Sequence, residues 1–175
     1  QHYRLAWWQL SRERLDHRRF FTITELIGIR QENPVVFDET HRLVVELART
    51  GAIDGLRIDH IDGLRDPAGY LERLGDETEL DCVYVEKILA HDERLPEDWI
   101  TAGTTGYEYI DVAGKAFIDP DGHRILESHY AGFAASPTDF DRLVFDQQRF
   151  IIHERLGAET ERFTAALTAL ARNDR

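Results

Sequence analysis

The 175-residue sequence contains no methionine and a single cysteine, Cys82. One thiol cannot close an internal disulfide or build a thiolate zinc cluster. Its place in an apolar run predicts a core position rather than a reactive thiol. Hydrophobic runs are short, and none approaches the roughly 20 residues that a membrane-spanning helix needs. Basic residues are scarce: 21 Lys and Arg stand against 33 Asp and Glu, for a formal net charge of −12. That balance argues against a nucleic-acid partner and suits a neutral or cationic ligand. The opening "QHYRLAWWQL" has aromatic and charged residues where the apolar stretch of a secretion signal would stand, so a soluble cytoplasmic protein is expected. The eight histidines show no H-x-H or H-E-x-x-H spacing. A Gly-rich phosphate loop and a G-x-S-x-G elbow are also missing. No metal and no cofactor are expected.

What is present reads as an α/β chain. "YRLAWWQLSRERL" has helical spacing, and "FFTIT" is β-branched and aromatic, followed by a short helical stretch that stops at Asn33-Pro34. "VVFDETHRLVVELARTG" predicts a helix with Phe37, Leu43, Val44 and Leu47 on one stripe and Gly51 just past its end. "AIDGLRIDH" predicts a short strand. Asp66 and Pro67 predict a helix N-cap and first turn, and "DCVYVEKIL" predicts a second strand. Strand, helix, strand at this spacing is a βαβ unit with parallel strands. "AHDERLPEDWITAGTTGYEYIDV" reads as loop, and residues from Ser136 onward read as two helices with a break near Gly157. A boundary is expected at residues 105 and 106, giving an α/β part over 1–105 and a mainly helical part over 106–175.

The strands carry the chemistry. Side chains alternate along a strand, so Arg57 and Asp59 share one face of the first, and Cys82, Tyr84 and Glu86 share one face of the second. If those faces coincide, Asp59 and Glu86 meet at the C-terminal ends of adjacent parallel strands. Adjacent strands lie about 4.8 Å apart, and a retaining glycosidase needs its two carboxyl groups about 5–5.5 Å apart. Arg57 can hold Asp59 ionised and fix its rotamer, as a nucleophile requires. Lys87 points off the face of Glu86, which suits a general acid. From spacing alone the larger share goes to a structural Arg57–Asp59 ion pair with Glu86 as a rim carboxylate. Likewise His60 alone reads as a loop histidine, and Asp62 and Asp66 as helix caps. Core packing is the first reading of Trp7, Trp8 and Trp99, ahead of stacking on sugars.

At these residues a resemblance becomes specific. "DGLRIDHIDGL" followed by "VYVEKIL" resembles conserved regions of the alpha-amylase superfamily, glycoside hydrolase family 13. The fourth barrel strand of that family ends in Arg-x-Asp, with Asp as nucleophile, and the fifth in the Glu acid/base. The resemblance implies Arg57, Asp59 and Glu86 as the catalytic residues. "RIDHIDGLRDPAGYL", "VEKIL" with "ERLP", and "GTTGYEYI" are similar to the maltooligosyl trehalose synthases of that superfamily. The similarity runs across nearly the whole chain and is densest from 54 to 109. Thr22, Thr24 and Glu108 depart from the pattern, which carries Asp and Asn in place of the two threonines and Asp in place of Glu108.

The implied fold is part of a (β/α)8 TIM barrel, from its fourth strand through its fifth, followed by a mainly helical insert. The remaining barrel strands and a third essential Asp are expected outside this sequence. Gln1, the absence of Met and the unstopped helical pattern of "LTALARNDR" also read as a piece of a longer chain. The implied activity is intramolecular transglycosylation of a maltodextrin to a maltooligosyl trehalose, with His60, Asp62 and Tyr107 as substrate-binding residues and the isolated chain inactive. Other α-glucan hydrolases or transglycosylases of the superfamily, and a non-catalytic α/β piece, remain open.

Overall fold

The computed structural model describes residues 3–10, 17–21, 23–134 and 139–173. Two compact units emerge, one of residues 28–118 and one of residues 1–27 with 119–175. This grouping follows packing, whereas the expected boundary at 105 and 106 followed sequence texture.

In the first unit, helix α1 (Pro34–Arg49) starts where Asn33 caps it, its side-chain oxygen accepting from the Val35 amide at 3.0 Å. Pro34 has no amide to leave unpaired at the first helical position. Asn33-Pro34 therefore opens this helix as well as closing the preceding segment. At the other end, the Gly51 amide donates to the Ala48 carbonyl and the Ala52 amide to the Leu47 carbonyl, each at 2.9 Å. This is a Schellman cap, and it needs the left-handed φ of +66° that Gly51 supplies. Strand β3 (Leu56–Ile58), helix α2 (Pro67–Thr78) and strand β4 (Val83–Val85) follow. Asp66 caps α2 by accepting from the Gly69 amide at 3.0 Å. A short strand β5 (Gly103–Thr104) completes a parallel sheet in the order β3-β4-β5, and helix α3 (Tyr107–Lys115) closes the unit. The stretch read as loop thus contains a strand and the start of a helix.

Val83 and Val85 are buried while Tyr84 between them is exposed, as alternation requires. Together with Phe37, Ile61, Leu71 and Leu74 they form the core, with Leu56, Ile58, Tyr70, Leu95 and Trp99 packed against it. Trp99 is therefore a packing residue. Leu43 lies outside the α1 stripe and is exposed; the buried line runs through Phe37 and Ala48, flanked by half-buried His41 and Val44. Cys82 is exposed as well, because alternation puts it on the face of Tyr84 and not of Val83. Between α1 and α2, the Phe37 ring stacks on His41 at 4.0 Å. His41 Nδ1 lies 3.0 Å from the Phe37 carbonyl and Nε2 lies 2.8 Å from the Tyr70 hydroxyl. Nδ1–H therefore donates, and Nε2 accepts from Tyr70.

In the second unit, β1 (Arg19–Phe20) and β2 (Ile23–Ile27) pair antiparallel. The short helical stretch expected after "FFTIT" is thus strand up to Ile27. Helices α4 (Pro120–Phe133), α5 (Phe140–Arg155) and α6 (Gly157–Asn173) make up the rest. The two expected C-terminal helices are α5 and α6, and Gly157 is where the second begins. Arg19 ties β1 to them, donating to the Arg155 carbonyl and to Glu159, each at 3.2 Å. The expected N-terminal helix is a single 3-10 turn at Trp8–Leu10 in its described part; residues 11–16 lie outside the described residues. Trp7 and Trp8 are exposed and not in a core. Thr22 and Pro137 also lie outside the described residues.

Candidate active site

The register of β3 against β4 sets the geometry. Leu56 pairs with Val83, Arg57 with Tyr84 and Ile58 with Val85. The Glu86 amide then donates to the Ile58 carbonyl at 2.7 Å, extending the ladder past both strand ends. Asp59 and Glu86 thereby leave the sheet at the same level, on neighbouring strands and at the C-terminal edge. Parallel α/β sheets commonly carry their sites at that edge. A close approach at the other end supports the register. A Cβ on Gly55 would lie 2.6 Å from the Cys82 carbonyl oxygen, so only glycine lets the strands meet there.

Arg57 pairs with the Asp59 carboxylate, and both side chains are about half exposed. After Asp59 the chain turns sharply. His60 takes a left-handed conformation, φ 51° and ψ 47°, and opens a 3-10 turn over Ile61–Gly63. Ile61, fully buried, anchors that turn in the core. The His60 amide donates to Glu86 Oε2 at 2.8 Å. From the far side the Tyr107 hydroxyl lies 3.4 Å from Glu86 Oε1. Tyr107 is the first residue of α3, placed by the left-handed Gly106 (φ 86°). Glu86 is thus gripped by a main-chain donor from one strand end and a side-chain donor from the helix after β5.

Asp62 points elsewhere: Lys87 Nζ lies 3.2 Å from it and 2.8 Å from Glu93. This bridge staples the 3-10 turn to the segment after β4, and apart from Lys87 turning off the Glu86 face nothing in the letters marks it. The Glu93 carboxylate beside it, helped by Asp62, holds the Lys87 ammonium above its ordinary range against the opposing effect of burial. The same bond, with the Ala90 amide, holds Glu93 below the ordinary carboxylate range. Glu108 is also held low, first by the Thr104 hydroxyl and then by its own amide. Beside Tyr107 an open cleft of about 810 Å³ runs between residues 88–91 and α3. Among the described residues, no group of three or more His, Cys, Asp or Glu could hold a metal ion, and no helix is long and apolar enough to cross a membrane.

No family model matches the chain. A Mycobacterium tuberculosis protein provisionally named maltooligosyl trehalose synthase is 35% identical over 175 residues, which is 99% of this chain and 23% of the relative. The solved maltooligosyltrehalose synthase of Arthrobacter ramosus matches with a TM-score of 0.86 and 39% identity, over 92% of this chain and 21% of that one. A single-substitution mutant of it matches at 0.88 and 38%, over 95% and 22%. The chain is homologous to one segment of the maltooligosyl trehalose synthases. It spans about a fifth of the length of the synthases it matches. The α/β core and its parallel sheet are therefore an arrangement of the kind found within a synthase.

Proposed function

We propose that this chain carries the nucleophile and the acid/base of an intramolecular transglycosylase of the alpha-amylase superfamily, glycoside hydrolase family 13. It converts the reducing-end α-1,4 bond of a maltodextrin into an α,α-1,1 bond. The observation that carries this reading is the β3–β4 register, which brings Asp59 and Glu86 out at one level. The homology to trehalose-forming synthases supports the choice of reaction.

Glu86 donates its proton to the oxygen of the last glycosidic bond, and Asp59 attacks the anomeric carbon of the penultimate glucose. The C–O bond breaks, leaving a glycosyl-enzyme with inverted configuration and a free glucose. Arg57 pairs with the Asp59 carboxylate and fixes its rotamer for the attack. The glucose then turns within the site, and its anomeric hydroxyl gives its proton to the Glu86 carboxylate. That oxygen attacks the glycosyl carbon and releases Asp59. Two inversions give net retention, and the enzyme returns to its starting protonation. Holding the glucose in place supplies a high effective concentration of acceptor, and the site must exclude water for transfer to beat hydrolysis. His60, Asp62 and Tyr107 shape the substrate pocket, Asp62 through the turn that Lys87 holds.

In this reading β3, α2 and β4 are the fourth strand, fourth helix and fifth strand of a (β/α)8 barrel in a cytoplasmic enzyme. The rest of the barrel and a third Asp come from chain outside these 175 residues, which alone turn over nothing. The test is a time course of reducing ends and chain lengths with maltohexaose, using a full-length synthase that contains this segment. Reducing power should fall at constant chain length, and Asp59→Asn or Glu86→Gln should lower kcat by at least about a thousandfold, the order of a lost transition-state interaction or more. Rising reducing power with shortening chains would replace transfer by hydrolysis. Full activity in either variant would remove that residue from the chemistry.

A further inference from the structure

The two oxygens of Glu86 are held differently. Oε2 accepts the His60 amide at 2.8 Å, and Oε1 faces the Tyr107 hydroxyl at 3.4 Å. An amide N–H can only donate, whereas a hydroxyl donates or accepts. A protonated carboxyl oxygen is a poor acceptor, so the exchangeable proton of Glu86 belongs on Oε1. Tyr107 can face Oε1 in either state, donating to it when bare and accepting from it when protonated.

The His60 amide meets Oε2 at the point where the chain turns left-handed at His60. That conformation is uncommon for a residue with a Cβ and costs on the order of a strained torsion. The turn after it has little slack. Ile61 is fixed in the core, and Asp62 is stapled by Lys87. The His60 ring folds back over this turn. A Cβ built on Gly63 would lie 2.3 Å from His60 Nδ1 and 2.8 Å from Cε1, so any other residue at 63 collides with the ring.

We propose that Gly63 is a positioning residue for Glu86: it leaves room for the His60 ring, which keeps the His60 amide on Oε2 and the mobile proton on Oε1 beside Tyr107. The inference deepens the catalytic reading and rests on it for its meaning, but its geometry can be tested without turnover.

The test follows the assigned amide resonances of the uniformly 15N-labelled 175-residue chain across the carboxylate titration range. In the parent chain the His60 amide proton should move downfield as Glu86 ionises, and Glu86→Gln should abolish the movement. Gly63→Ala should reduce its amplitude by at least about half, since a charge-assisted hydrogen bond is lost, while Tyr107→Phe should keep it. Adding His60→Gly to Gly63→Ala removes the colliding ring and supplies a residue at ease with positive φ, so the coupling should return. Full amplitude in Gly63→Ala would mean that the ring swings aside and the amide stays, which overturns the proposal. If Gly63→Ala alone fails to fold, the double variant decides: recovery of fold and coupling supports the proposal, and no recovery overturns it. Turnover by Glu86→Gln in the full-length enzyme would overturn the catalytic reading instead, leaving the amide result intact.

Discussion

Residues 28–118 and the unit of 1–27 with 119–175 are built from equally regular elements, yet they hold themselves together differently. Among the described residues, seven of the eight buried apolar residues lie in the first, and the second contributes only Ala158. Phe133, by contrast, is 90% exposed. The helices of the second unit rest on local signals. Asp119 and Asp139 cap α4 and α5 by accepting from the Gly122 and Arg142 amides, and Arg142 pairs with Asp146 one turn on. Such contacts are worth tenths of a kcal/mol to about 1 kcal/mol each. In the first unit the βαβ crossover folds its own helix onto its own strands, and burial of large side chains outweighs every cap. Regular helices therefore need only their own sequence, whereas a core needs elements that face one another.

The contrast is most sharply tested in the core. Leu74→Ala should cost about 2–5 kcal/mol, the range for a buried leucine, while Leu167→Ala on exposed α6 should stay within about 0.5 kcal/mol. Urea unfolding followed by circular dichroism measures both, and comparable losses would erase the distinction. Cap removal comes next. Asp66→Ala should cost about 1 kcal/mol of global stability. The same change at Asp139 should fray α5 locally, visible as faster amide exchange at Arg142 with the unfolding midpoint of the first unit unmoved.

Smaller effects come from titration. Burial pushes the Tyr70 hydroxyl up to about 12, above the roughly 10 of an unfolded tyrosine. A raised value favours the folded state below the unfolded value and loses that contribution as pH climbs through the folded one. Phenolate absorbance should thus show a step above the ordinary tyrosine range, and Tyr70→Phe should remove that late step. The weakest effect belongs to the Lys87 bridge. Its raised ammonium supports folding below the unfolded lysine range and loses that support as pH rises through the folded value. The lowered Glu93 carboxylate supports folding above the unfolded carboxylate range and loses that support as pH falls through the folded value. Lys87→Met should flatten the pH dependence of Tm at both ends.

Much of the first unit was legible because its signals are local. Asp66-Pro67 marks a helix start wherever it sits, and the alternation of "VYVE" assigns faces without a structure. The same alternation already held the exposure of Cys82, which its apolar surroundings obscured. Strand β5 was hidden because two residues cannot show a period, and α3 because Gly103 and Gly106 read as loop. Leu43 fits the helical period yet sits at the edge of an arc wider than the contact. At the site, the side chains that leave the strand ends were readable. The grip on Glu86 was not, since the His60 amide is main chain and any residue would offer one. What singles out that amide is a torsion angle and the bare α-carbon at Gly63, and neither leaves a pattern in the letters.

The sheet order β3-β4-β5 is also the order of synthesis. Leu56 meets Val83, and Tyr84 meets Gly103, so each strand docks on the one made just before it. Closing a loop of under about thirty residues costs little more than closing a shorter one, although parallel pairing is slow when partners are distant. A ribosome extruding this sequence would deliver Asp59, then Glu86, then Tyr107 to a surface that already exists. The site can therefore assemble in the sequence in which its parts appear.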